Sequence, residues 1–167
     1  SAGDGLANDW HMVHLGKFAQ GGAGIVFTEA AAVQRRGRIT HGDLGIWSNA
    51  HAQALSGIAG FIRSMGSVPA IQLAHAGRKA AMQRPWHGNG PLDANDRARG
   101  EEPWQVVAPS VEPLGEGWLL PVEMSTADIA QVADDFAAAA RRSHHAGFDI
   151  AEVHAAHGYL AASFLSI

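Results

Sequence analysis

Three short apolar runs alternate with longer segments of helical period along this chain. "AGIVFTEAAAV" (residues 23–33), "VPAIQLAH" (68–75) and "FDIAEVHA" (148–155) are largely apolar, and each comes just after a glycine. That is the pattern of parallel strands covered on both faces. Between them, residues 9–20 place Trp10, Val13 and Phe18 roughly on one helical face, with Asn8 or Asp9 to cap the start. Residues 49–65 repeat Leu55, Ile58, Ala59 and Ile62 behind Ser48, a good N-cap. The clearest helix is 127–146, with Ile129, Val132, Ala133 and Phe136 as its apolar stripe. A Ser125–Asp128 capping box opens it and Gly147 closes it. The order helix, strand, helix, strand, long loop, helix, strand predicts an α/β fold with parallel strands and right-handed crossovers.

The stretch 76–124, rich in Pro, Gly and Trp, is too long for a passive connection and belongs with functional loops. It follows the C-terminal end of a strand, where α/β proteins place their sites. About a dozen residues with no further helix follow the last strand. A closed (β/α)8 barrel takes about 250 residues, whereas this chain has 167 and shows three strands. The pattern alone leaves two architectures open: a small open sheet, or a piece of a barrel.

Composition narrows the function classes. An apolar fraction of 47% is ordinary for a globular domain, and no apolar run reaches the length of a membrane span. The opening "SAGDGLANDW" lacks the segments of a signal peptide, so a cytoplasmic location is expected. Net charge is −4, and the basic clusters at Arg35–Arg38 and Arg141–Arg142 are short and free of interleaved aromatics. Nucleic acid is therefore not an expected partner. Without cysteine there is no disulfide, no thiolate nucleophile and no sulfur-ligated zinc. "QGGAG" (20–24) precedes a strand, which makes it a helix-to-strand turn rather than a dinucleotide fingerprint. Neither a phosphate-binding G-x-x-x-x-G-K-S/T nor a G-x-S-x-G nucleophile elbow occurs.

Candidate chemistry concentrates in "HAAHGY" (154–159), just where the last strand runs out. Two readings compete with plain packing of an aromatic-rich strand end under a loop. In the first, His154 and His157 form half of a metal site with Glu152, which alternation puts on the same strand face as His154. Spacing offers no obvious third or fourth ligand. In the second, the two neutral imidazoles each present an N–H donor to one carbonyl oxygen and stabilise charge that builds there. Tyr159 then delivers a proton nearby. Of the other histidines, "HMVH" (His11, His14) has i,i+3 rather than i,i+4 spacing and reads as helix surface or packing. His41, His51, His87, His144 and His145 read as isolated.

Several separated segments resemble one family. "HAAHGYLAASFLSI" is similar to the stretch His-x-Ala/Gly-His/Asn-Gly-Tyr-Leu, ending Phe-Leu-Ser-Pro, of the old yellow enzyme family of FMN-dependent ene-reductases. "TEAAAV" (28–33), "RGRITHGDLGIW" (36–47), "AIQLAHAGRKA" (70–80) and "QRPWHGNGPL" (83–92) resemble its bacterial, thermophilic-like branch, which includes the xenobiotic reductases. "NDWHMVHLGKFAQGGAGIVFTE" resembles the family's opening helix and second strand. The resemblance implies a TIM barrel, of which residues 1–167 would be one partial domain holding strands two to four. It would lack the first strand and strands five to eight, and with them an arginine to the flavin and the phosphate-binding loops. Carried over, Ala30 and Gln72 would contact FMN, and His154 and His157 would hold the carbonyl oxygen of an α,β-unsaturated substrate, a nitro compound being the other small-molecule partner implied. Ala155 and Ala156 would form the backbone between them, and Tyr159 would serve as proton donor. NADPH or NADH would be the electron donor, with homo-oligomers open for the full-length form. A chain of this extent is expected to bind FMN weakly or not at all by itself; a non-catalytic fragment and a histidine-ligated, metal-dependent hydrolase are the rival readings.

Overall fold

A computed structural model describes residues 3–165. Ser166 and Ile167, which end the histidine-bearing motif, and Ser1 and Ala2 lie outside the described residues. The elements in order are α1 (Asp9–Gln20), β1 (Ile25–Ala32), β2 (Leu44–Gly45), α2 (Asn49–Ser64), β3 (Val68–Ala74), α3 (Ala94–Ala98), β4 (Val107–Ala108), β5 (Val122–Glu123), α4 (Thr126–Ala146), β6 (Ile150–Val153) and α5 (Leu160–Leu165). The three strands and three long helices expected are all present, within a few residues of their expected ends. Three features were not expected: the edge strand β2, the small parallel pair β4–β5 inside the long segment, and α5, where no helix was foreseen. Helix α5 is only six residues long and is anchored by Leu160, which is buried.

The main sheet is parallel throughout, in the order β2-β1-β3-β6. Helices α1, α2 and α4 cover one face of it. There Leu15, Ala31, Leu55, Ile58, Ile62, Ile71 and Leu73 make the principal core. The other face is open. Ile25 and Phe27 on β1 are half exposed, and β6 has a free edge whose Val153 is largely exposed.

Local rules explain most of the boundaries. Asn8 caps α1, its side chain accepting from the Trp10 N–H at 3.1 Å. Ser125 and Asp128 form the expected box at the start of α4, and Gly147 ends it in the left-handed region at φ 97°. Ser48 does stand at the N-cap of α2, but its hydroxyl meets His51 Nδ1 at 2.6 Å instead of capping the backbone. His51, read as isolated, is buried there, its other nitrogen 3.0 Å from the Asp4 carbonyl.

The face assigned to α1 has to be corrected. Trp10, Val13 and Phe18 point outward, Val13 being 71% exposed, while His11, Leu15, Gly16 and Ala19 face the core. The cause is steric as well as polar. A Cβ on Gly16 would lie 2.9 Å from the Phe61 ring, so this side of α1 alone can approach α2 closely. His11 can be buried because Asn8 meets its Nδ1 and Glu29 lies 3.4 Å from its Nε2. On α4, Val132 is buried and Phe136 partly so, but Ile129 is 41% exposed and Ala133 is exposed too.

Candidate active site

Three neighbouring strands carry one row of side chains across the open face. Ala30 on β1 pairs in register with Gln72 on β3, and Gln72 with Glu152 on β6. Strict alternation along β1 would put Ala30 on the opposite face from Phe27. A register shift between Phe27 and Ala30 adds one residue to β1 and returns Ala30 to the open side. Thr28 holds this bulge, its hydroxyl donating to the Glu29 carbonyl at 2.7 Å and accepting from the Gln72 N–H at 3.4 Å. At the end of the row Gln72 Nε2 donates to Glu152 Oε1 at 2.6 Å. Glu152 is therefore turned toward Gln72. No group of three His, Asp or Glu side chains that could hold a metal ion is found among the described residues.

Past the row, the His154 N–H donates to the Leu73 carbonyl at 2.8 Å and extends the β3–β6 ladder by one residue. The chain then turns sharply. Tyr159 N–H donates to the Ala156 carbonyl at 3.1 Å across His157 and Gly158, whose φ values are 56° and 67°. Two consecutive left-handed residues inside a four-residue turn define the type I′ geometry. Glycine adopts it freely, whereas a histidine there is uncommon and marks stored backbone strain. The turn folds His157 back on His154, with ring nitrogens 3.3 Å apart and centroids 5.1 Å apart. Tyr159 stands edge-on to His154, its centroid 4.9 Å away.

The hydrogen bonds fix the proton positions. Ala156 N–H donates to His154 Nδ1 at 3.2 Å, so the proton of a neutral His154 sits on Nε2. That Nε2–H points at His157 Nδ1, which leaves the proton of a neutral His157 on its own Nε2. Partial burial, and secondarily the neighbouring His157, depress the His154 pKa and favour the uncharged ring; Glu152 opposes this. Burial, reinforced by the carboxylate of Asp43, pushes the Tyr159 phenol upward and keeps it protonated. Its hydroxyl has no hydrogen-bond partner among the described residues.

A cleft of about 790 Å³ opens beside this turn. Ala30 and Tyr159 are on its wall, with Lys79, Trp10, Trp86 and Trp118. The residues assigned from sequence thus divide into two groups. Ala30 and Tyr159 face the cleft, while His154 and His157 meet over the exposed end of β6 and Gln72 lies in the row between. Ala155 and Ala156 are exposed, and the Ala156 backbone N–H donates to His154 Nδ1.

Sequence reasoning missed Lys79. Its Nζ donates to the His157 carbonyl at 2.6 Å and lies 5.7 Å from the centroid of the Tyr159 ring, so it ties the strained turn to the wall of the cleft. A basic residue in the run "AHAGRKA", directly after a strand end, was the available signal.

The row suits a flat heteroaromatic ring. Ala30 adds only a methyl group, so nothing bulky blocks close approach. The Gln72 amide both donates and accepts, and its Oε1 has no partner among the described residues.

Comparison with known proteins gives the same direction. The family model for NADH:flavin oxidoreductases / NADH oxidases matches residues 1–167. The chain is 44% identical over 167 residues to an NADH:flavin oxidoreductase of Gibberella zeae, covering 99% of this chain and 40% of that protein. It is 42% identical over 163 residues to an NADPH dehydrogenase of Listeria monocytogenes, covering 98% and 42%. Among solved structures, morphinone reductase superposes with a TM-score of 0.80 at 26% identity, covering 99% of this chain and 44% of that one. The old yellow enzyme homologue from Zymomonas mobilis gives 0.73 at 26%, covering 96% and 42%. The chain thus spans about 40% of the length of the curated relatives it matches, and its parallel α/β sheet corresponds to part of a TIM barrel. FMN as cofactor, with NADPH or NADH as reductant, agrees with this family. By its sequence along the whole of its length, the chain belongs to the NADH:flavin oxidoreductase / NADH oxidase family.

Proposed function

We propose that residues 1–167 form one partial-barrel domain, strands two to four, of an FMN-dependent ene-reductase. The reaction is reduction of the activated C=C bond of an α,β-unsaturated carbonyl or nitro compound, with NADPH or NADH as electron donor. The observation that carries this reading is the pair of imidazoles, His154 and His157, brought together at a strand end by a strained turn.

FMN, when bound, would supply the hydride chemistry that links NADPH or NADH to the substrate C=C bond. Ala30 and Gln72, side by side on β1 and β3, would hold the flavin ring. His154 presents its Nε2–H, which in the resting arrangement points at His157. A substrate oxygen that takes over this donor releases His157 to turn its own N–H onto the same oxygen. Two such donors stabilise the developing enolate, each by about 3 kcal/mol in the transition state. Tyr159, kept protonated and with no hydrogen-bond partner for its hydroxyl among the described residues, donates its proton to the α-carbon.

Flavin binding and turnover test the reading together. In the full-length barrel that contains this domain, NADPH should bleach the absorbance of bound FMN and cyclohex-2-enone should restore it, whereas residues 1–167 alone should bind FMN weakly or not at all. Restoration at an undiminished rate after His154→Ala and His157→Ala together would remove the basis of the proposal.

A further inference from the structure

We propose that Glu152 is a positioning residue for the flavin: it fixes which way round the Gln72 amide stands, so that Oε1 is the atom free to accept from an N–H of the ring. This rests on the flavin contact given above to Gln72, and it adds a residue that acts on the ring only through another side chain.

The chemistry of the two groups sets the direction of their contact. A glutamine amide carries a donor and an acceptor of nearly the same size, and half a turn about its last bond exchanges them. A carboxylate only accepts. Glu152 Oε1 lies 2.6 Å from Gln72 Nε2, so the NH2 group is the one held here. The bond belongs to the short, strong class in which one partner is charged. Gln72 Oε1 is left without a partner among the described residues.

Among the described residues, the other neighbours of Gln72 in the row do not set the amide. Gln72 pairs in register with Ala30 on one side and with Glu152 on the other, and the Ala30 methyl group neither donates nor accepts. The Thr28 hydroxyl meets the backbone N–H of Gln72 and leaves its side chain alone. Glu152 is also not taken up by His154, two residues along the same strand face. One nitrogen of that ring accepts from the Ala156 N–H and the other meets His157. The contact thus runs straight across the β3–β6 ladder, between two strands whose pairing lies wholly inside this chain.

The orientation matters because the edge of an isoalloxazine ring is not symmetric in donors and acceptors. Its pyrimidine part carries one N–H, at N3, between two carbonyl groups, and only an acceptor can meet that N–H. An amide held by Glu152 offers Oε1 for this purpose. Turned round, the same amide would set oxygen against the carboxylate and N–H against N–H, and both contacts would be lost together. Glu152 therefore makes one of two otherwise similar states of Gln72 the resting one before any ligand arrives, which lowers the ordering cost of binding. A residue at 152 that still accepts should keep this bias; a residue that cannot accept should lose it.

The test uses the full-length barrel that contains this domain, loaded with FMN carrying nitrogen-15 at N3, and reads the N3–H signal by NMR together with FMN affinity. The parent should show a sharp, exchange-protected N3–H. Glu152→Leu should shift or broaden it and weaken FMN by about tenfold, the loss of one oriented hydrogen bond. Glu152→Gln, whose carbonyl oxygen can still accept from Gln72, should keep the signal and bind FMN within about threefold of the parent. In a Gln72→Leu background, Glu152→Leu should change FMN affinity no further, a result that a merely structural role would not give. An unchanged N3–H signal and affinity in Glu152→Leu would overturn the assignment. So would Glu152→Gln as damaging as Glu152→Leu, or a further tenfold loss in the Gln72→Leu background. An N3–H signal that follows residue 152 as described, in a barrel that cyclohex-2-enone does not reoxidise, would keep the positioning role and remove the ene-reductase reading.

Discussion

The chain contains two His-x-x-His pairs with opposite fates. In α1, His11 and His14 keep helical backbone, so their rings take separate environments. His11 is buried between Asn8 and Glu29, and His14 stacks on Trp10 at the surface, 4.5 Å between centroids. In the turn after β6, the same spacing ends in two left-handed residues, and the ring nitrogens meet at 3.3 Å. Spacing alone therefore carries little chemical information. The backbone between the two residues decides whether a pair serves packing or reaction.

The strongest way to break this contrast is to delete each pair. In the flavin-loaded protein, removing both rings with His154→Ala and His157→Ala should lower kcat/KM for an enone by about 10⁴-fold, the sum of two donors of about 3 kcal/mol each. Stability should change little, because both rings are at least partly exposed. His11→Ala should do the reverse. A cavity and unpaired polar partners should cost about 2–4 kcal/mol in urea unfolding, while kcat per folded molecule is kept. Equal loss of activity from both changes would show that the second pair acts only through the fold.

A third environment sharpens the comparison. His75, at the end of β3, is buried; its Nε2 lies 3.0 Å from Gln34 Oε1, and its Nδ1 accepts from the Gly77 N–H at 3.1 Å. Both contacts suit the neutral ring. Burial, with a smaller contribution from the charge of Arg36, depresses its pKa from 6.5 to about 4. The folded state thus binds this proton less readily than the unfolded chain does. Stability is complete above about 6.5 and declines as pH falls toward about 4. The loss amounts to about 3 kcal/mol. Urea midpoints measured from pH 7 to pH 4 should fall more steeply in the parent than in His75→Asn, and parallel slopes would refute the assignment.

The sheet was legible because its strands follow simple rules: short apolar runs after glycine, separated by capped helices. The turn 154–159 was legible only as a motif, since neither a left-handed His157 nor the inward fold of its ring follows from composition. Two errors have definite causes. On α1, the apolar residues do not mark the core, because Gly16 and a polar-satisfied His11 lie on the inward side and leave Val13 in water. On β1, alternation could not reveal the bulge at Thr28–Glu29, on which the place of Ala30 beside Gln72 depends. Within the long segment, three tryptophans and many turn residues signalled function, but that Trp86 and Trp118 share one cleft while Trp104 packs elsewhere is visible only in three dimensions.

The finest test leaves the rings alone and changes the turn. Gly158 has φ 67°, and a Cβ there would lie 3.4 Å from Lys79 Nζ. Gly158→Ala should cost about 1 kcal/mol in thermal unfolding through the left-handed backbone. At position 157 two substitutions separate conformation from donor chemistry. His157→Val removes the donor and puts a β-branched residue at φ 56°, where it is strongly disfavoured. His157→Asn keeps an N–H donor in a residue that tolerates left-handed backbone. Asparagine should therefore retain enone affinity within about threefold, whereas valine should lose both affinity and stability. If asparagine were as damaging as valine, an imidazole rather than an oriented N–H would be the group required at position 157, and the pair would need a different chemical account.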